Sequence, residues 1–198
     1  MHRQLGALLM VVLVALLAGC TSAEKAPAEA ALKAAETSVG AAKTEIAKYM
    51  PDQAKALDAA LATAKEKFDK GDYKGALADA QALTGKAKEL AQAAGAKKEE
   101  LTKTWTSLSE GLPRVVDAIQ SRLDVLSKSR KLPAGLTADK LASAKAGLAD
   151  ITKQLAEAKT AFQSGNVQDA VSVATAVKPK AAEVMTTLGM RVPDALKG

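Results

Sequence analysis

Phe68-Asp69-Lys70-Gly71-Asp72-Tyr73-Lys74-Gly75-Ala76-Leu77 is the stretch on which the architecture depends, and the chain carries it twice. Its second form is Phe162-Gln163-Ser164-Gly165-Asn166-Val167-Gln168-Asp169-Ala170-Val171, with Gly165 following Gly71 by 94 residues. In the same register Leu61 meets Leu155, Lys65 meets Lys159, Ala80 meets Ala174, Lys86 meets Lys180 and Glu89 meets Glu183. Alanine matches are cheap in so alanine-rich a chain, whereas the Phe and Gly coincidences are not, so the pattern reads as an internal repeat. Physically it describes a helical hairpin. Gly71 or Gly165 supplies a left-handed cap to the first helix, and Asp72 or Asn166 caps the start of the returning one. Phe68 and Phe162, just before the turn, are expected to pack on Ala76 and Ala170 just after it.

On either side of each turn the apolar positions keep helical spacing. Leu57, Leu61, Ala64 and Phe68 share one face, and Tyr73, Ala76, Ala80, Leu83, Ala87 and Leu90 share one face of the returning helix. Ile151, Leu155, Ala158 and Phe162, then Val167, Ala170, Ala174, Val177, Ala181 and Val184, repeat that seam. Alanine, lysine, glutamate, leucine and glutamine fill most of the remainder, and no stretch alternates as a strand would. The chain is therefore expected to be all-α.

Helix breaks are expected at Pro27, Pro51, Gly71-Asp72, Gly111-Leu112-Pro113, Pro133-Ala134-Gly135, Gly165-Asn166 and after Leu188. A helix over 28–48 precedes the first hairpin and one over 113–130 precedes the second, giving two related three-helix units. The helix after Tyr73 either passes Gly95 and runs on to about Glu110, a rod of roughly 55 Å joining the units, or breaks at Gly95. The divisions that follow are 1–19, 20–27, 28–110 for the first unit, 111–190 for the second, and a tail over 191–198.

The first residues belong to no helix of that body. Met1, His2 and Arg3 precede an apolar run from Leu5 to Leu17, and Ala18, Gly19 and Cys20 follow, which is the charge, core and small-residue order of an export signal. A membrane-spanning helix is the other reading, but the run is about 13 residues where a bilayer core needs about 20. The tetrad Leu17-Ala18-Gly19-Cys20 resembles the lipobox of bacterial lipoproteins. That resemblance implies acylation of the Cys20 thiol and cleavage between Gly19 and Cys20. Several acyl chains, at about 0.8 kcal/mol per buried methylene, hold a protein to a membrane without further help. Thr21, where an Asp would retain an enteric lipoprotein in the inner membrane, implies the outer membrane, with the body facing the periplasm. The segment 21–27, fully extended, spans no more than about 25 Å, so the body sits close to its leaflet.

Loss of the signal removes His2 and Arg3, leaving 27 Lys and Arg against 22 Asp and Glu and no histidine. The commonest general base and the commonest metal ligand are then both missing. Cys20 is the only cysteine, so once it is acylated there is no thiol nucleophile, disulfide or thiolate metal site. Glu99-Glu100 and the pair Asp69 and Asp72 suit helix ends and solvated faces better than acid–base work. Ser107, Ser109, Ser121, Ser127 and Ser129 have no histidine to activate them. No phosphate-binding loop or dinucleotide turn appears, and no cofactor or metal is expected.

Lysines interleave with acids, which reads as solvated helix faces, with attraction to anionic lipid or cell-wall polymer as the alternative. Nucleic acid is not an expected partner. The aromatic residues are few: Tyr49, Phe68, Tyr73, Trp105 and Phe162. Trp105 is read as packing between the units, or else as an exposed anchor for a partner. Met185 and Met190 read as packing filler.

The turn at Phe68 looks like the hairpin of tetratricopeptide repeats, but those recur about every 34 residues and carry further signature positions absent here. The lipobox, the following helix and the Gly-Asp-Tyr hairpin together resemble a family of uncharacterised alanine-rich envelope lipoproteins, over about Cys20 to Ala94 and more weakly through the second copy to Leu188. That family brings a fold and a location but no activity. The expected function is a non-enzymatic, membrane-tethered helical module that binds or spaces another envelope protein or a cell-wall component. The alternative is a carrier of lipid or another apolar ligand between its helices. The C-terminal Leu196-Lys197-Gly198 departs from the terminal lysine through which the major murein lipoprotein is crosslinked to the wall.

Overall fold

Buried positions along the helices step mostly by three, four or seven residues, the spacing of coiled-coil seams. The computed structural model traces the backbone over 2–197 and describes side chains over 23–197. Of the expected signal segment 1–19 and Cys20, only the backbone over 2–20 is described, as part of α1, and none of the side chains. Among the described residues the chain is all-helical, in the order α1 (His2–Tyr49), α2 (Pro51–Asp69), α3 (Tyr73–Lys128), α4 (Ala138–Gln163) and α5 (Val167–Thr187), with a short 3-10 turn at Asp194–Leu196.

Two compact units result, Met1–Lys97 and Lys98–Gly198, where the sequence suggests a change between 110 and 111. In unit 1, α1 buries Ala28, Leu32, Ala35, Val39, Ala42, Ile46 and Tyr49. The first part of α3 buries Ala76, Ala80, Leu83, Ala87, Leu90 and Ala94 in the same rhythm. Between them α2 buries Ala54, Leu57 and Ala64. Ion pairs bind the edges: Lys43 to Asp58 at 2.8 Å and Lys65 to Glu36 join α1 to α2, and Lys67 to Asp79 at 2.7 Å joins α2 to α3.

In unit 2 the second part of α3 contributes Trp105, Leu112, Ile119, Leu123 and Leu126 to one core with Ile151 of α4 and Val177 and Val184 of α5. The chain then folds back, so that Leu196 of the 3-10 turn is buried in the same core and Val192 packs against it. Met185 is buried in it too, and Met190 lies partly buried against it.

Three glycines close the helix ends after α2, α4 and α5. Gly71, Gly165 and Gly189 have φ of +83°, +77° and +65°, a region closed to most side chains. After α2, the Gly71 amide donates to the Phe68 carbonyl at 3.0 Å and the Asp72 amide to the Lys67 carbonyl at 2.9 Å. After α4, Gly165 donates to Phe162 at 2.9 Å and Asn166 to Ala161 at 2.8 Å. After α5, Gly189 donates to Thr186 and Met190 to Met185. Each pair is a Schellman cap that satisfies carbonyls otherwise left open at the helix end.

The returning helices start differently. Asp72 Oδ1 accepts the Gly75 amide at 2.9 Å, and a Cβ on Gly75 would collide with that carboxylate. Asn166 makes no side-chain cap, and α5 instead has Asp169 in its first turn, where a negative charge meets the helix dipole. The α3–α4 link holds a Pro133-to-Leu136 turn with Gly135 at φ +83°, and Thr137 caps α4 by accepting the Lys140 amide at 3.2 Å.

Two expected breaks are absent. Pro27 lies inside α1, and Pro113 lies inside α3, which passes both Gly95 and Gly111. Proline in a helix frees the carbonyl four residues earlier and costs about 3 kcal/mol. Pro27 and Ala23, and Pro113 and Ser109, are exposed, so water reaches the freed carbonyls. Buried Leu112 and Ile119 flank Pro113 and hold the helix on its seam. Thus 20–27, expected as a linker ahead of the first helix, is helical and continuous with α1.

Candidate functional site

Trp105 gathers the most chemistry in the body. It sits on the unit 2 part of α3, 8% exposed, with its ring stacked on Phe162 of α4 at 5.0 Å between centroids and 16° between planes. It is therefore buried within unit 2, not an exposed anchor. Phe162 owes its position to the Schellman cap at Gly165, which ends α4 just beyond it and holds its ring against α3. An offset aromatic pair of this kind contributes about 0.5–1.5 kcal/mol beyond burial.

Beside the pair an open groove of about 570 Å³ runs between α3 and α4. Leu108, Pro113 and Val116 form one wall, Leu155 and Phe162 the other, and Ala174 of α5 lies at the groove as well. Ala156 and Ala174 are too small to fill it. Asp117 and Lys159 are the charged lining residues, with Ser109, Thr152 and Gln163 as neutral polar ones. The volume falls in the range of small-molecule sites, and the surface is mainly apolar with few polar groups, which suits an aliphatic or aromatic ligand.

Unit 1 carries a groove of similar volume, about 570 Å³, between α2 and α3, lined by Ala56, Ala60, Ala82, Leu83 and Leu90 with Gln53, Asp79 and Lys86. A more polar cavity of about 720 Å³ lies at the α3–α4 link of unit 2, where Arg122, Asp139 and Lys140 meet the backbone of Pro133 to Leu136 and of Thr186 to Gly189. Both cations there already donate to carbonyls, Arg122 Nε to Leu188 at 3.4 Å and Lys140 Nζ to Gly135 at 2.9 Å.

Of the six turn residues singled out in the sequence, only Phe162 reaches the α3–α4 groove. Phe68 meets Tyr73 edge-on at 5.1 Å instead. Gly71, Asp72, Gly165 and Asn166 act in the backbone turns. Leu155 stands on the expected α4 seam, but Leu108 and Val116 carry no mark in the sequence, because the groove depends on where α3 passes α4.

Two of the serines are engaged locally: Ser109 Oγ donates to the Thr106 carbonyl and Ser129 Oγ to the Val125 carbonyl. Glu66 is held below the usual carboxylate range by the hydrogen bond and charge of Lys70, and Lys67 is pushed up by its hydrogen bond to Asp79. Asp150 is lowered, first by the hydrogen bond from Lys180. Glu66 and Asp150 are exposed and Lys67 is half-buried, and none of the three lines the α3–α4 groove. Among the described residues no cluster of His, Cys, Asp or Glu is placed to hold a metal ion, and no helix is long and apolar enough to cross a membrane. The chain matches no protein-family model, no curated protein and no solved structure.

Proposed function

We propose that the chain is a bacterial lipoprotein, acylated at Cys20, whose helical body is a non-enzymatic interaction or scaffold module of the cell envelope. The observation that carries this reading is the order Arg3, apolar 5–17, then Leu17-Ala18-Gly19-Cys20. Its resemblance to the alanine-rich envelope lipoproteins and the repeat of the Phe-x-x-Gly hairpin both accord with it. On this reading Thr21 directs the protein to the outer membrane, the body faces the periplasm, and the two units descend from one duplicated hairpin. The partner is then an envelope protein or a wall component met near the leaflet.

Labelling living cells with a fatty acid that carries a detectable tag tests the anchor. The wild-type chain takes up label and sediments with membranes, while Cys20→Ala takes up none and runs uncleaved. Equal labelling of the two would sink the proposal. In-cell crosslinking from the body then identifies the partner, and a body that crosslinks to nothing removes the scaffold role.

A second reading, carriage of an apolar ligand, is favoured by the groove beside Trp105 and Phe162. Trp105 is the single tryptophan, so its emission reports this groove alone. Titration with a long-chain fatty acid should shift that emission with saturation, and Leu155→Glu should abolish the shift. An emission that stays flat removes the carrier reading.

A further inference from the structure

We infer that the α3–α4 end of unit 2 is a docking surface for an anionic phospholipid bilayer. The inference goes beyond the lipid anchor and does not rest on acylation. α3 ends at Lys128, and the link that follows begins Ser129-Arg130-Lys131. Lys128, Arg130 and Lys131 are all exposed. None of the three has an ion pair or hydrogen bond from its side chain among the described residues. Elsewhere the lysines are commonly neutralised, as with Lys43, Lys65 and Lys67 of unit 1 and Lys180 of unit 2.

The nearby acids do not offset them. Over 122–140 there are five cations, Arg122, Lys128, Arg130, Lys131 and Lys140, against Asp124 and Asp139. Asp124 is occupied by the Gln120 amide at 2.8 Å, and Asp139 stands in the first turn of α4.

The second observation is apolar. Val125 is 60% exposed, the one large hydrophobic side chain so placed among the described residues. It lies one helical turn before Lys128 and Ser129, on the same face of α3. Uncompensated cations beside an exposed aliphatic side chain match the two layers of a bilayer surface. Phosphate headgroups meet Lys128, Arg130 and Lys131, and the headgroup–acyl boundary accepts Val125. A soluble polyanion would use the cations but would gain nothing from the valine.

The test uses the full chain carrying Cys20→Ala, so that no acyl chain contributes. It is mixed with vesicles of phosphatidylcholine alone and with vesicles in which about a third is phosphatidylglycerol, and sedimentation is measured. The N-terminal segment, Arg3 and the apolar run 5–17 alike, is common to every variant and drops out of the comparison between them. Each cation near an anionic leaflet contributes about fivefold in affinity. The triple variant Lys128→Gln, Arg130→Gln, Lys131→Gln should therefore lose about a hundredfold on anionic vesicles.

A control with the same change of net charge in unit 1, Lys25→Gln, Lys33→Gln, Lys88→Gln, should lose far less. Val125→Asn should weaken anionic-vesicle binding by about tenfold. Equal losses in the tip and control variants would overturn the inference, as would equal binding to the two vesicle types. Retention on a soluble polyanion that needs the three cations, with vesicle binding indifferent to Val125→Asn, would also overturn it and assign the surface to a polymer.

Discussion

Tyr49 closes the buried seam of α1 at 6% exposure, yet its hydroxyl has no hydrogen-bond partner among the described residues. A buried donor left open costs about 1–3 kcal/mol, while the ring itself contributes by filling the seam. Tyr49→Phe is therefore expected to raise the unfolding free energy by about 1 kcal/mol, read as a higher denaturant midpoint; a lower one would mean the hydroxyl is bonded in solution. Gly147 and Gly85 look alike in the sequence, each a glycine inside a helix. A Cβ on Gly147 would stand 2.7 Å from Val184 Cγ2, whereas one on Gly85 would meet nothing within 4 Å. Gly147→Ala should then destabilise by about 1–3 kcal/mol through overpacking, and Gly85→Ala should stabilise by about 1 kcal/mol through helix propensity. The difference is invisible in one dimension because it depends on how closely α5 approaches α4.

Helices α1, α3 and α5 each contain a proline, at 27, 113 and 179. The hairpin turns at Gly71 and Gly165 were legible because the need for a left-handed residue is local and only glycine meets it without strain. The prolines at 27 and 113 were misleading because breaking a helix is not a local property. Its outcome depends on whether water can reach the freed carbonyl and on how firmly the flanking residues are held. Pro179 follows the same rule: it and Thr175 are exposed, while Val177 and Ala181 are buried on the other face. Pro179→Ala restores one hydrogen bond and should raise the thermal midpoint, by up to about 3 kcal/mol of stability; an unchanged midpoint would show that α5 is already distorted there. Helices α4 and α5 are clasped by Lys180 and Asp150 at 2.7 Å. Asp150 is depressed mainly by that hydrogen bond, so its contribution is present above the unfolded carboxylate pKa and is lost as pH falls through the lower folded value. Acid unfolding of Asp150→Asn should show a shallower loss of stability below the ordinary carboxylate range than the wild type, and an identical profile would remove the clasp from the acid transition.

Across the chain the all-α class was legible in the pattern, since seams such as Ile151, Leu155, Ala158 and Phe162 keep one face at helical spacing. The candidate site was legible only in part. Trp105 and Phe162 stand out by rarity, but their stacking joins α3 to α4 and no local rule pairs them. The grooves are spaces that small side chains leave unfilled, and absence has no sequence motif. Those small side chains recur through both units, with Ala28, Ala35 and Ala42 on α1, Ala76, Ala80, Ala87 and Ala94 on α3, and Ala170, Ala174 and Ala181 on α5. An alanine seam removes little hydrocarbon from water per residue, so unfolding it exposes little apolar surface to fresh hydration. The heat-capacity increment of unfolding should then fall below the ordinary value of about 12–15 cal/mol/K per residue. Calorimetry should find a stability curve unusually flat in temperature, a fold that neither chilling nor moderate warming changes much.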